Sequence, residues 1–160
     1  VEVQGIEIDS VLSLTDDLVL SLSAGYVDVS YATVTKDLTG DGSVDAKDLA
    51  LELPRAAPLT WSIGLNRFGS YEGWTTNSRI SLAHRDKSFF TDNNQGFINK
   101  QNVLNAGLDF TSPDGSTSIG IYGNNLTNEV RHGGDTQLSI GSYAPLMKGR
   151  VIGLEATYNF

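Results

Sequence analysis

The stretch LVLSLSAGY, Leu18 to Tyr26, decides the fold. Leu18, Leu20, Leu22, Ala24 and Tyr26 share one parity, and Ser21, Ser23 and Gly25 share the other. Successive side chains of a strand point to opposite faces, so this segment predicts a strand with one apolar face and one small, polar face. The alternation continues outward in both directions. Upstream, Ile6, Ile8 and Leu12 alternate with Glu7, Asp9 and Ser13, and LTDD (Leu14 to Asp17) is the turn between the two runs. Downstream, Leu59, Trp61, Ile63 and Leu65 alternate with Thr60, Ser62, Gly64 and Asn66. RFGSYEG follows as a turn, then Trp74, Ile80 and Leu82 against Asn77, Arg79, Ser81 and Arg85. Leu104, Ala106, Leu108 and Phe110 precede the hairpin signal SPDG, and Thr117, Ile119 and Ile121 follow it. Ile152, Leu154, Ala156, Tyr158 and Phe160 close the chain, so seven strands are predicted.

The connections alternate in length. Those near residues 14–17, 67–72 and 112–115 are short; those near 29–57, 88–100 and 125–149 are long. Short on one rim and long on the other describes an up-and-down meander, the pattern of transmembrane β-barrels. Charges within the strand bodies (Glu7, Asp9, Arg79, Arg85, Asp109, Glu155) keep to the polar parity, while Asp28, Asp86 and Arg150 fall near strand ends on the long-loop side. Tyr26, Trp61, Trp74, Phe110, Tyr158 and Phe160 cluster at the ends of the apolar parity, as an interfacial aromatic girdle would. Small residues on the polar parity, among them Gly64, Gly107, Gly120 and Gly153, suit a wide lumen filled by water or a separate plug.

Composition narrows the class. The 160 residues carry 11 Lys plus Arg against 19 Asp plus Glu, a net charge of −8, which argues against nucleic acid as a partner. No cysteine is present, so a disulfide framework and thiolate chemistry are excluded. No signal peptide is read at the start, and VEVQGIEI looks like the middle of a strand. Seven strands alone leave two open edges, which lipid does not tolerate. The expectation is therefore an all-β, antiparallel meander spanning 1–160, the C-terminal part of a large transmembrane barrel.

Three segments give the chain a family likeness: GIEID through SLTDDLVLSLSAGYVDVSY, then NAGLDFTSPDGSTSIGIYGNNLTNEV, and the terminal GRVIGLEATYNF. Together they resemble the C-terminal barrel region of TonB-dependent outer-membrane receptors, over nearly all of the chain outside residues 32–57. The resemblance implies a 22-stranded barrel closed by an N-terminal plug, in the outer membrane of a Gram-negative bacterium. It implies active uptake of a scarce nutrient, such as siderophore-iron, cobalamin or an oligosaccharide. The implied partners are outer-membrane lipid, the remaining strands and plug of the parent chain, and an inner-membrane energising complex reached through an N-terminus absent here. The barrel-assembly machinery is a further implied partner, with Ile152, Leu154, Ala156, Tyr158 and Phe160 matching the terminal signal it reads.

The loop at 29–57 carries a second pattern. Asp37, Asp41, Asp45 and Asp48 stand at positions 1, 5, 9 and 12 of a twelve-residue calcium loop, with Gly42 at position 6 and Val44 at position 8. Asp37, Asp41 and Asp48 would ligate directly, Thr39 through its hydroxyl, Ser43 through its carbonyl, and Asp45 directly or through water. A structural Ca2+ is the expected ion. Thr39 at the third position and the lack of an entering helix depart from the pattern.

Neither histidine has a nucleophile-elbow context, so catalysis is not expected. Arg131, His132 and Asp135, with Phe89, Phe90 and Asn93, are candidates for ligand contact at the outer mouth. Two alternatives remain beside the receptor: another porin-type barrel, or a soluble, secreted, calcium-stabilised β-sandwich that binds carbohydrate.

Overall fold

A computed structural model describes residues 1–138 and 140–160. In chain order the strands are β1 (Glu2–Ser13), β2 (Leu18–Ser30), β3 (Leu59–Tyr71), β4 (Trp74–Arg85), β5 (Ser88–Phe89) and β6 (Phe97–Ile98). Then come β7 (Gln101–Thr111), β8 (Thr117–Asn124), β9 (Thr136–Leu138), β10 (Gly141–Tyr143) and β11 (Val151–Tyr158). A single helical turn, α1 (Ala46–Leu49), lies in the first long loop. The seven long strands form one antiparallel sheet in the order β1-β2-β3-β4-β7-β8-β11. β5 pairs with β6 and β9 with β10 as small hairpins in the other two long loops.

The expected turns at Leu14–Asp17 and at SPDG fall where the alternation breaks. The third short connection is tighter than the sequence suggested. Arg67 to Tyr71 belong to β3, and only Glu72 and Gly73 turn, with φ of 48° and 85°. Two successive left-handed residues match the right-handed twist of the flanking strands, so a two-residue hairpin closes there. The first long loop likewise begins and ends later than expected, at residues 31–58, because β2 runs on to Ser30.

The register puts all predicted apolar positions on one face. Ile6 lies opposite Tyr26, Leu22 opposite Ile63, Leu82 opposite Leu104, Leu108 opposite Ile121, and Ile121 opposite Leu154. Among the described residues no second layer covers this face. Among the described residues the only buried apolar side chains are Ala57 and Ile98, both in or beside the long loops, whereas Ile8, Ile63, Ile80, Ile121 and Leu154 are exposed. A soluble sandwich needs a second sheet to bury such a face. The described residues supply none.

The apolar band crosses the hydrogen-bonded rows obliquely. On β3 it runs from Leu59 to Leu65 and is ended by Arg67, yet Leu65 shares its row with Ile80, Ala106, Gly123 and Ile152, the last of these being the top of the band on β11. The band thus slips six residues over the four steps from β3 to β11, about 1.5 per step. Strands ~4.8 Å apart and tilted by ~45° require a slip of roughly 1.4 residues per step to keep a level band. The observed slip is therefore close to that of a level band on strands tilted by ~45°.

Candidate functional site

Three surfaces could carry function: the apolar face, the polar face, and the long-loop rim. The apolar face ends in aromatics at both levels. Trp61 stacks on His84 with ring centroids 5.3 Å apart on the long-loop side; Tyr158 meets Phe160 edge-on at 5.0 Å on the other. The His84 ring is held between Asn102 Oδ1 at 2.8 Å and Asp86 Oδ1 at 3.1 Å. Arg67, just past the lower edge of the band, pairs with Asp17 at 3.1 Å. The Thr15 hydroxyl, then the Arg67 guanidinium, hold the Asp17 carboxyl below its usual range.

The polar face is not simply spacious, as its glycines suggested. Three of the glycines lie opposite a large polar partner, Gly107 opposite Arg79, Gly120 opposite Asp109 and Gly153 opposite Tyr122, whereas Gly64 lies between Ser21 and Ser81. A Cβ at Gly120 would stand 2.5 Å from the Asp109 carboxylate, and one at Gly153 would stand 2.5 Å from the Tyr122 ring. Gly107, Gly120 and Gly153 are sockets across which neighbouring side chains lie. Arg79 and Asp109 form an ion pair there. Beside them a depression of about 490 Å³ opens between Asn66, Arg79, Asn105, Tyr122 and Glu155. The Asn66 and Asn77 side-chain oxygens are buried without a partner. Such atoms favour water or a polar object against this face.

At the rim, the three long loops interlock. Asn94 donates from Nδ2 to the Glu52 carbonyl and accepts from the Glu52 N–H, both at 2.7 Å. The Arg55 N–H donates to the Phe89 carbonyl at 2.6 Å, and its guanidinium lies 4.7 Å from the centre of the Phe90 ring. Lys87 sits between the Phe89 and Phe97 rings, 4.8 and 4.7 Å from their centres. His132 meets Phe97 edge-on at 5.7 Å, and Asp135, 8% exposed, accepts from the Phe97 N–H at 3.3 Å through Oδ2 while its Oδ1 has no partner. The structure thus brings His132 and Asp135 to the β5–β6 hairpin. Arg131 lies apart from them, donating to the Lys148 carbonyl at 3.2 Å. Asn93 accepts from the Gln95 N–H within its own turn at 3.2 Å. Lys87 and Arg55 were not picked out by sequence reasoning, because a cation over an aromatic ring leaves no periodic signal.

The acidic loop is ordered by its own backbone. Asp48, fully buried, accepts from the N–H groups of Leu38 and Thr39 through Oδ1 and of Asp45 through Oδ2. These bonds, the one from Asp45 foremost, hold its carboxyl below the usual range. Asp37 accepts from the Gly40 and Gly42 N–H groups at 2.6 and 2.7 Å. Asp41 pairs with Lys47 at 2.5 Å and accepts from Ser43, which lowers its carboxyl to about 2. Asp45 caps α1 through Lys47 N–H. In this arrangement no three acidic or histidine side chains converge as a metal-holding group among the described residues. The twelve-residue spacing is present; the carboxylates are engaged by N–H groups and a lysine.

The motif NLTNE has a structural basis. Asn125, 1% exposed and left-handed at φ 51°, exchanges two side-chain bonds with the Glu129 backbone, at 2.9 and 2.8 Å. It closes a tight turn at the top of β8. The terminal residues Ile152, Leu154, Ala156 and Tyr158 lie on the apolar face of β11, an edge strand paired only with β8.

A tilted, single-layer antiparallel wall with one continuous apolar face and one polar face is the fold of part of a TonB-dependent receptor barrel. Two solved structures make the likeness concrete. The ferric yersiniabactin uptake receptor FyuA from Yersinia pestis matches 99% of this chain with a TM-score of 0.83 at 13% identity. The siderophore receptor PiuA from Acinetobacter baumannii matches 96% with a TM-score of 0.75 at 15% identity. The chain spans 23% and 21% of the length of those two chains. No family model and no curated protein matches the sequence.

Proposed function

We propose that this chain is a C-terminal wall segment of a TonB-dependent receptor in the outer membrane of a Gram-negative bacterium. Its rim loops would gather an iron–siderophore complex for uptake. The carrying observation is the uncovered apolar face, whose level band fits strands tilted by ~45° in a bilayer. The polar face would meet the plug and water, and the inner-membrane energising complex would act through the parent chain. Siderophore-iron is preferred to cobalamin or an oligosaccharide because both similar structures bear siderophore-related names. Growth of a strain lacking the full gene, under iron limitation with a panel of siderophores, tests this. Loss of growth on one ferric complex is expected, with cobalamin and oligosaccharide use intact; undiminished growth on every complex contradicts it.

The β11 residues Ile152, Leu154, Ala156 and Tyr158, with Phe160 exposed at the end, would present the strand to the barrel-assembly machinery. Calcium binding by Asp37, Thr39, Asp41, Ser43, Asp45 and Asp48 is proposed on their spacing alone, and requires Asp48 to exchange its N–H partners for the ion. Calorimetry with Ca2+ should give saturable heat at millimolar ion that Asp41→Ala abolishes; no heat overturns it.

A further inference from the structure

We infer that the ring of Phe90 couples the first and last long loops through the β5–β6 hairpin, so that the three loops part and close as one lid. The place of that lid over a receptor mouth rests on the reading given above; the coupling itself does not.

Phe90 is gripped by two different loops. From the first, the Arg55 guanidinium lies 4.7 Å from the ring centre. From the last, Gly134 comes so near that a Cβ there would stand 3.0 Å from Phe90 Cε2 and Cζ. One residue on, the Asp135 carbonyl meets Gly96 in the same way, since a Cβ at Gly96 would stand 2.6 Å from that oxygen. The hairpin and the last loop are thus fitted together with a glycine on each side, where any side chain would hold them apart. Asp135 Oδ2 completes the contact by accepting from the Phe97 N–H at 3.3 Å.

The other grip is anchored to the wall. Arg85, at the top of β4, donates to the Arg55 carbonyl at 3.2 Å and to the buried Ser88 hydroxyl at 3.0 Å. The Arg55 N–H donates to the Phe89 carbonyl at 2.6 Å. Among the described residues the Arg55 guanidinium forms no salt bridge, so its charge rests on the ring face alone.

Two features of the same junction oppose its closure. Arg55 has a φ of 64°, a left-handed conformation that persists only where the surroundings impose it. Asp135 is 8% exposed and its Oδ1 is buried without a partner, a state that water relieves. The first is released when Arg55 leaves Phe90, the second when Asp135 leaves the hairpin. Packed contacts switch between arrangements and do not deform gradually. A group that lifts either outer loop therefore loosens the other without touching it.

The test uses the full natural chain in detergent, with amide hydrogen exchange resolved to single residues by mass spectrometry. The Phe97 N–H reports the contact with the last loop, and the Glu52 N–H, which donates to Asn94 Oδ1, reports the contact with the first. Phe90→Ala should speed both by about tenfold or more. Arg55→Ala should speed the Phe97 N–H by roughly threefold or more, although it alters only the first loop. Coupling is reciprocal, so Gly134→Val in the last loop should speed the Glu52 N–H. In a Phe90→Ala background, Arg55→Ala should add nothing at Phe97. Heat-modified mobility in gels confirms that each variant is folded. A folded Arg55→Ala protein with Phe97 exchange unchanged overturns the coupling, as does a folded Gly134→Val protein with Glu52 exchange unchanged. Equal acceleration by Arg55→Ala with and without Phe90 also overturns it. Recovery of the chain outside the membrane fraction overturns the receptor reading alone.

Discussion

In the middle of the apolar face several register partners are alike: Leu20 faces Leu65, Leu22 faces Ile63, Leu82 faces Leu104. On the polar face three pairs are markedly unlike: Arg79 faces Gly107, Asp109 faces Gly120, Tyr122 faces Gly153. The difference fits the surroundings proposed for each side. Hydrocarbon is featureless, so its side of the wall needs only uniform apolar cover at the right level. The opposite side is a relief, with long polar groups laid over glycine sockets, and its shape is specific. A soluble core would demand the reverse, with close interdigitation on the apolar side.

The sharpest way to break this comparison is a charge moved from one face to the other. Ile63→Arg, in the middle of the band, should destabilise the assembled barrel by about 2–4 kcal/mol, whereas Ser62→Arg, one residue away on the polar face, should change stability by about 0.5 kcal/mol or less. Urea unfolding in lipid vesicles measures both. Equal penalties would remove the distinction between the faces.

A second substitution probes the relief. Gly153→Leu should displace the Tyr122 ring that lies over it and cost about 1–3 kcal/mol, by overpacking on a face that nominally faces water. The bulkier Ile152→Phe on the oil side should cost less, because Ile152 is 65% exposed and lipid yields. The same unfolding assay ranks the pair.

The rim extends the contrast, since it is held by neither oil nor relief but by hydrogen bonds between loops. Asn94→Ala removes both bonds to Glu52 and should cost about 1–2 kcal/mol of local stability. Hydrogen exchange should quicken at residues 50–56 and 88–98 and stay unchanged in β2 and β3. If protection in the loops is unaltered, the interlock is not what orders them.

How much of this was legible in the sequence follows the same division. The strands, their faces and the turns at Leu14–Asp17 and SPDG were readable because a period of two is a local signal. Tyr71 was missed: Arg67 and Gly69 carry no apolar contrast, so the alternation fades before the two-residue turn at Glu72 and Gly73. The socket role of Gly107, Gly120 and Gly153 was invisible, since each depends on a partner from another strand. The interlock of Glu52 with Asn94 joins residues 42 apart, and the return of Leu126 over Gly123 depends on the Asn125 ring. The acidic spacing at Asp37–Asp48 was evident, but which donors those carboxylates would take was not.

The smallest expected effect is acid loosening of turns and rim, with both faces unaffected. The Asp114 carboxyl, at about 2 through the Ser112 hydroxyl and then Ser116, and Asp41, also at about 2, are both depressed. A depressed carboxyl stabilises the fold in full above its unfolded value, near ~3.9, and that contribution is lost as pH falls toward the folded one. Exchange at residues 37–48 and 112–116 should therefore rise between about pH 4 and pH 2, while β3 and β4 hold. Simultaneous loosening of the strands would show that the faces, too, depend on carboxylates.

The central claim is that one face of this wall meets oil and the other meets water or a polar partner. Spin labels placed singly at residues 60 to 66 of β3, in the full chain reconstituted in vesicles, test it most directly through collision with oxygen and with a water-soluble nickel chelate. The account predicts oxygen-dominated relaxation at 61, 63 and 65, and lower oxygen access at 60, 62, 64 and 66. Labels at 61, 63 and 65 shielded from both agents, as in a dry protein interior, would contradict it.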